Sequence, residues 1–376
     1  MSSSADIVAE LTLKDHEAVE AAVGALNSAF RGLGDPAPRV ERVADGERLA
    51  VEIPRDVVDP SSPATHMAQI LRGVLRAIPA EARVSRLVVP EGLFRGPKLG
   101  LKDVRRYTGI RGPLLGVVIR AESREPFELA KRFYELAASG ADLGLEPEFL
   151  LDHPDSPISA RASHAADMMD RVKEETGRRP IYVVSVESRA DALVDRVQEA
   201  ADAGLPFVAV EASSLANIEA IAALDVKVGV YARGGPGFVP MRWLSPGACA
   251  TLLRLAGAGI VERPSAGSAA RAAIEETDSA LLGKIQGIGR SMPSARGAMH
   301  PGSVEANVSL FGVNQVLLFD EGVYDHPWGY KSGVSAARAA IDAALRGEGF
   351  FEAVEASEEI RVAVDRWGYL APDAVR

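Results

Sequence analysis

The chain has 376 residues, 47% hydrophobic and 25% charged, with a formal net charge of −10. That balance excludes a disordered or fibrous protein, and the length suits a small domain joined to a barrel-sized one. A mildly acidic chain without clustered Lys and Arg lacks the electrostatic footprint of a nucleic-acid binder. The single cysteine, Cys249, lies in the apolar run Ala248-Cys249-Ala250-Thr251-Leu252-Leu253. It excludes a disulfide framework and reads as a small buried hydrophobe. The opening Met1-Ser2-Ser3-Ser4-Ala5-Asp6 lacks the basic and apolar regions of a signal peptide, and no apolar run reaches membrane-spanning length. The expectation is a cytoplasmic protein with no membrane and no nucleic acid among its partners.

Residues 1–112 read as a small α+β domain. Ile7 to Leu13 alternates like a strand, 17–30 has helical periodicity, and 48–53 is a second strand. Pro54, Pro60 and Pro63 punctuate a loop, after which Met67, Ile70, Leu71, Val74 and Leu75 share a helix face. A further strand is expected at 84–89. From 113 to 376 the pattern becomes a regular alternation of short apolar runs and amphipathic helices, which is the signature of repeated βα units. The runs fall at 114–119, 143–149, 181–186, 207–210, 226–230, 259–261, a weak one before Arg296, and 315–319. Ala-rich helices at 126–138, 190–203, 216–224, 246–255 and 336–345 lie between them. Eight such units predict a (β/α)8 TIM barrel behind the α+β domain.

In a barrel of this kind chemistry sits where strands end, and here those ends are charged. In order they carry Arg120 and Glu122, Glu146 and Glu148, Glu187, Glu211, Tyr231 and Arg233, Glu262 and Arg263, Arg296 and His300, then Asp320 and Glu321. Gly234-Gly235-Pro236-Gly237 lacks the lysine of a P-loop and the spacing of a dinucleotide fingerprint, so it reads as a turn. His16, His66, His153 and His164 show no ligand spacing, and no zinc site is expected.

Four stretches together resemble a known family. Phe94-Arg95-Gly96-Pro97-Lys98-Leu99-Gly100 is similar to the Phe-x-Gly-Pro-x-x-Gly connector of the RuBisCO large-subunit superfamily, and Arg111-Gly112-Pro113-Leu114-Leu115-Gly116 to its first barrel strand. Met299-His300-Pro301-Gly302 resembles the segment after the seventh strand in RuBisCO-like proteins, and His326-Pro327-Trp328-Gly329 the opening of the eighth helix. The resemblance runs from about Val84 to Gly349 and implies a homodimer in which one chain's N-terminal domain lies near the other's barrel mouth.

Departures from the family pattern remove parts of the carboxylase. The Lys-Pro-Lys of the first strand is replaced by Arg120-Ala121-Glu122, and an arginine does not shuttle protons as a buried lysine does. The magnesium-holding Lys-x-Asp-Glu is replaced by Leu145-Glu146-Pro147-Glu148. Alternation sends Leu145 and Pro147 inward and Glu146 outward, so only Glu148 is left at the position of a family ligand. The glycine-rich phosphate turns become Arg296-Gly297-Ala298 and Asp320-Glu321-Gly322, in which two carboxylates oppose an anion, and the sixth loop has no lysine before Lys284. These changes lead to the expectation of no magnesium, no other cofactor and no bisphosphate ligand.

The candidate catalytic residues are Arg120, Glu122, Glu148 and His300, with Glu122 and Glu148 as bases and His300 as an acid or a loop-pinning residue. Tyr231, Arg233, Glu262, Arg263, Arg296, Asp320 and Glu321 are the candidates for binding a small polar molecule, since guanidinium forks match carboxylates. One reading is a metal-independent enzyme that enolises a small polar carbonyl compound other than a bisphosphate without carboxylating it, as an isomerase, a lyase or in a carbon–carbon bond step. The other is an inactive barrel that senses a ligand or serves an assembly.

Overall fold

The computed structural model describes residues 6–14, 18–31, 37–43, 48–187, 191–238 and 241–376. The expected helix starts at Glu17 and Ala190, together with His16 and the first five residues, lie outside the described residues. Alternation in β1 (Ile7–Leu13) buries Ile7, Ala9, Leu11 and Leu13 on one face. It lies between β3 (Arg48–Ile53) and β4 (Ala82–Val88), and β2 (Arg39–Arg42) completes an antiparallel sheet of order β2-β3-β1-β4. The helices Val19–Phe30 and Pro63–Ala77 bury Leu26, Met67 and Leu71 in the same core as this sheet.

Eight parallel strands then close into a barrel: β5 (Leu114–Val118), β6 (Leu143–Leu145), β7 (Ile181–Ser185), β8 (Phe207–Glu211), β9 (Gly229–Arg233), β10 (Ala258–Pro264), β11 (Met292–Arg296) and β12 (Val316–Phe319). Closure is made by β12 pairing with β5, Val316 beside Leu114. Because alternate residues face inward, Leu114, Leu143, Ile181, Phe207, Ile260, Met292 and Val316 fill the interior as one cluster. The helix Leu101–Thr108 plugs the barrel floor with Leu101 and Val104. Its entry explains the glycine that ends the connector: Leu101 N donates to Arg290 O at 2.9 Å, and a Cβ on Gly100 would stand 2.3 Å from that same oxygen.

The sheet is seated on the barrel by polar as well as apolar contacts. Glu219, from a barrel helix, accepts the Ala64 and Thr65 amides at 2.8 and 2.9 Å, capping the helix that starts at Pro63. Ser245 hydroxyl donates to Ser85 O at 3.0 Å, and Val84 N to Trp243 O at 2.9 Å. At the other end of the chain, the helices Tyr330–Arg346, Phe350–Ala356 and Glu358–Trp367 fold back over the barrel and bring Trp367 against His300. Among the described residues no helix is long and apolar enough to cross a membrane.

Candidate active site

The inward register that fills the barrel continues past its apolar layers and delivers charge to the C-terminal rim. Arg120, Glu187, Glu211, Arg233, Glu262, Arg296 and Asp320 hold the last inward positions of seven strands, and Glu148 joins them from the loop after β6. Charges gathered at a partly buried mouth are stabilised by partners, and each guanidinium there has one. Arg120 Nε lies 2.6 Å from Asp320 Oδ1 while its guanidinium stacks over Tyr324, 5.3 Å from the ring centre. Arg296 is ion-paired with Glu148 and, at 3.4 Å, with Glu262. Burial works against the charge on Arg296, but Glu262 and Glu148 outweigh it and hold the guanidinium above its ordinary range.

Arg233 is 1% exposed. Its Nη2 donates to Glu146 O across the barrel at 2.9 Å, Nη1 is 3.6 Å from Glu211, and Nε and Nη1 have no hydrogen-bond acceptor. Glu211 is pushed above the usual carboxylate range, first by burial and then by Glu148, Glu187 and Glu262, against the pull of Arg233. Glu187 accepts the Glu211 amide at 2.9 Å. Neither acid was among the residues singled out for a role. Both stood at strand ends, and the inward register was the signal that selects them.

Glu262 is completely buried and satisfied: Tyr231 OH donates to it at 3.0 Å and Gly234 N at 2.7 Å. Tyr231, also fully buried, shares a 2.8 Å hydrogen bond with Ser294. Burial, with Glu262 beside it, holds this phenol well above its usual range, so it stays a neutral donor that fixes Glu262. Arg263 requires a correction. Expected at the ligand, it is one residue out of register with Glu262 and points behind the barrel, where it binds Asp278 at 2.8 and 2.9 Å and Gln315 at 2.9 Å, fully buried. Glu146 also faces outward. It accepts Arg161 Nε at 2.9 Å, Tyr182 OH at 2.7 Å and Ser185 N at 2.8 Å, which makes it a structural carboxylate.

Two lobes open at the mouth, sharing Arg296 and Asp320 as their common wall. The larger, about 840 Å³, is lined by Arg120, Glu122, Arg124, Glu148, Phe149 and Asp152 among others. Here Glu122 is exposed and Glu148 half-exposed, both open to a ligand. The smaller, about 350 Å³, holds His300, Glu321, Gly322 and Trp367. His300 is pushed down to about 4 by burial, stacks on Trp367 with ring centres 6.1 Å apart, and has an Nδ1 that is buried without a partner. His326, by contrast, is a packing residue whose Nε2 lies 3.1 Å from Glu359 O.

No family model matches the chain. It is 31% identical over 293 residues to the 2,3-diketo-5-methylthiopentyl-1-phosphate enolase of Exiguobacterium sibiricum, covering 73% of this chain and 72% of the relative. It is 29% identical over 293 residues to the ribulose bisphosphate carboxylase of Pyrococcus furiosus, covering 74% and 70%. The rubisco-like protein MtnW of Alicyclobacillus acidocaldarius superposes with a TM-score of 0.81 at 26% identity, covering 98% of this chain and 100% of that one. The dimeric archaeal Rubisco of Hyperthermus butylicus has the same fold, with a TM-score of 0.81 at 21% identity over 98% and 97% of the two chains.

These relatives correct one expectation. Loss of the family's lysine and carboxylate ligands led to the expectation of no cofactor, with magnesium absent. A chain this similar to a named diketone enolase does not support that step, because enolisation is chemistry in which a divalent cation ordinarily polarises the carbonyl and holds the enolate oxygen. As for the side chains themselves, among the described residues no three of His, Cys, Asp and Glu gather into a ready ligand set, and Glu148 is turned toward Arg296. The connector and first-strand motifs, the closed barrel with its antiparallel domain, and 31% identity over most of both chains lead to one assignment: the chain belongs to the RuBisCO family, among its RuBisCO-like members that lack the carboxylase residues.

Proposed function

We propose that the chain is a non-carboxylating enzyme that enolises a small polar carbonyl compound bound in the larger lobe. The observation that carries this reading is the mouth itself: an open cavity of about 840 Å³ in which carboxylates and guanidiniums meet, in a chain whose relatives include a named enolase. Glu148, or Glu122 on the same wall, removes the proton next to the carbonyl, and Arg120 and Arg296 face the oxygen on which negative charge develops. His300, held neutral by burial, lines the smaller lobe on the far side of Arg296 and carries no imidazolium proton to donate.

The test is exchange of α-hydrogens for deuterium, followed by NMR with and without magnesium. The panel holds small ketones, keto acids and the diketone phosphate named for the relatives. Enzyme-dependent exchange of at least one compound is the expected result, and saturable binding with no exchange in any of them sinks the reading. That second outcome is what a ligand-sensing barrel gives. One observation favours such a barrel: every inward guanidinium of the mouth already has a carboxylate partner.

We further propose a homodimer that places the partner's N-terminal domain over this mouth. Supporting it, Phe149 and Leu151 are 86% and 54% exposed beside the larger lobe, apolar surface of the kind that subunit interfaces cover. Light scattering is expected to give twice the chain mass of 39.8 kDa, and a monomer at micromolar concentration rejects the arrangement.

A further inference from the structure

The inward register ends on a charge in seven of the eight barrel strands, and β6 is the exception. Its inward positions run Leu143, Leu145 and then Pro147, just past the ladder. On the neighbouring strand β5, Val118 lies one inward step below Arg120 and joins Leu145 in the apolar cluster of the interior. The charged side chains that flank this gap are both drawn away from it. Arg120 is paired with Asp320 past the end of β12, which is the neighbour of β5 on the side away from β6. Glu148 is paired with Arg296 at the end of β11.

That leaves Val118, Ala121, Pro147 and Leu150 lining the β5–β6 side of the larger lobe, with the Phe149 ring, 86% exposed, beside them. None of these five side chains can make a hydrogen bond. Size points the same way. A three-carbon ketone held by Arg120, Arg296 and Glu148 would fill a small part of about 840 Å³ and leave this apolar side in water, whereas an alkyl chain on the same ketone would cover it.

We propose that the ligand of the larger lobe is amphiphilic, with a carbonyl head at Arg120, Arg296 and Glu148 and an aliphatic tail lying over Val118, Pro147 and Leu150. This rests on the enolising reading for the head and adds the chemistry of the rest of the molecule.

The test uses the full chain and four hydroxyketones with one head: hydroxyacetone, 1-hydroxy-2-butanone, 1-hydroxy-2-hexanone and erythrulose. Erythrulose has the length of the butanone, but its tail carries hydroxyls. Binding is measured by calorimetry and α-hydrogen exchange by NMR in the same samples, with and without magnesium. Each added carbon is expected to tighten binding about threefold, so the hexanone should bind at least about tenfold more tightly than hydroxyacetone, at one site per chain. Erythrulose should gain nothing over hydroxyacetone. Val118→Thr and Pro147→Ser each place a hydroxyl on the apolar side and should reduce the step to less than about twofold per carbon. Pro147 is half-buried in a loop, so its variant is expected to fold even where Val118→Thr does not, and unchanged melting checks both. Affinity that is flat or falls with tail length, an equal gain for erythrulose, no saturation by the hexanone, or a slope that survives in the folded variants overturns the proposal. A rising slope without exchange leaves the apolar end standing and defeats the enolising reading. Exchange of all four ketones at equal affinity does the reverse.

Discussion

Replacing Glu146 by alanine is expected to lower the melting midpoint by on the order of 10 °C, more than any change to the residues that line the cavities. Glu146 and Arg161 are both completely buried, and the carboxylate also takes the Tyr182 hydroxyl and the Ser185 amide. Removing it strands a guanidinium and a phenol in the layer between barrel and helices, and an uncompensated buried charge of this kind costs about 3–5 kcal/mol. The damage should reach the mouth, because the Glu146 carbonyl is the acceptor for Arg233 Nη2, and Arg233 in turn faces Glu211. A double replacement, Glu146→Leu with Arg161→Met, removes both charges and is expected to recover most of the loss, since a buried pair is often matched by apolar packing. Differential scanning calorimetry of the two variants decides the matter. If Glu146→Ala melts within about a degree of the parent, Glu146 is not the strut between the second and third strands that its hydrogen bonds describe.

Glu146 also shows how far the sequence can be read. Its outward direction followed from alternation alone, counted from Leu145, and the structure puts it there. The same count applied to Glu262 sends Arg263 behind the strand. Arg263 was nevertheless expected at the ligand, because a charge at a strand end reads as functional when its register is not counted. Strand limits blurred for identifiable reasons. The second barrel strand, expected over 143–149, ends its ladder at Leu145, and Pro147 has no amide to continue it. The fifth, expected over 226–230, is paired at Gly229–Arg233: the apolar residues before it mark the approach to the barrel, while its polar end belongs to the ladder. The edge strand Arg39–Arg42 gave no signal, being four residues with exposed charge on both sides. Pairings across the mouth, such as Arg296 with Glu148 or Arg120 with Asp320, join strands far apart in the chain, so no local pattern announces them.

Exchange of Glu148 for glutamine is expected to cut the rate of enzyme-dependent α-hydrogen exchange by about 10²–10⁴-fold, the usual contribution of a positioned general base. Stability should hardly change, because Glu148 is half-exposed, and pairs of this kind contribute roughly 0–1 kcal/mol. The glutamine keeps the shape of the side chain and a hydrogen-bond acceptor for Arg296, which also retains Glu262. A loss of rate at constant melting temperature therefore reports the missing base and not a collapsed mouth. Full activity in Glu148→Gln removes this residue from the chemistry, and the next carboxylate to test is Glu211, facing Arg233 from the neighbouring strand. The two bases differ in pH dependence. Glu211 is held above the ordinary carboxylate range by burial and by the acids around it. A base must be deprotonated to act, so a rate resting on Glu211 climbs with pH through that raised value, above the range where exposed carboxylates titrate. If the climb disappears in Glu211→Gln and survives in Glu148→Gln, the proton passes through the half-buried Glu211 beside Arg233 at the rim, and Glu148 serves to hold Arg296 against the wall between the two lobes.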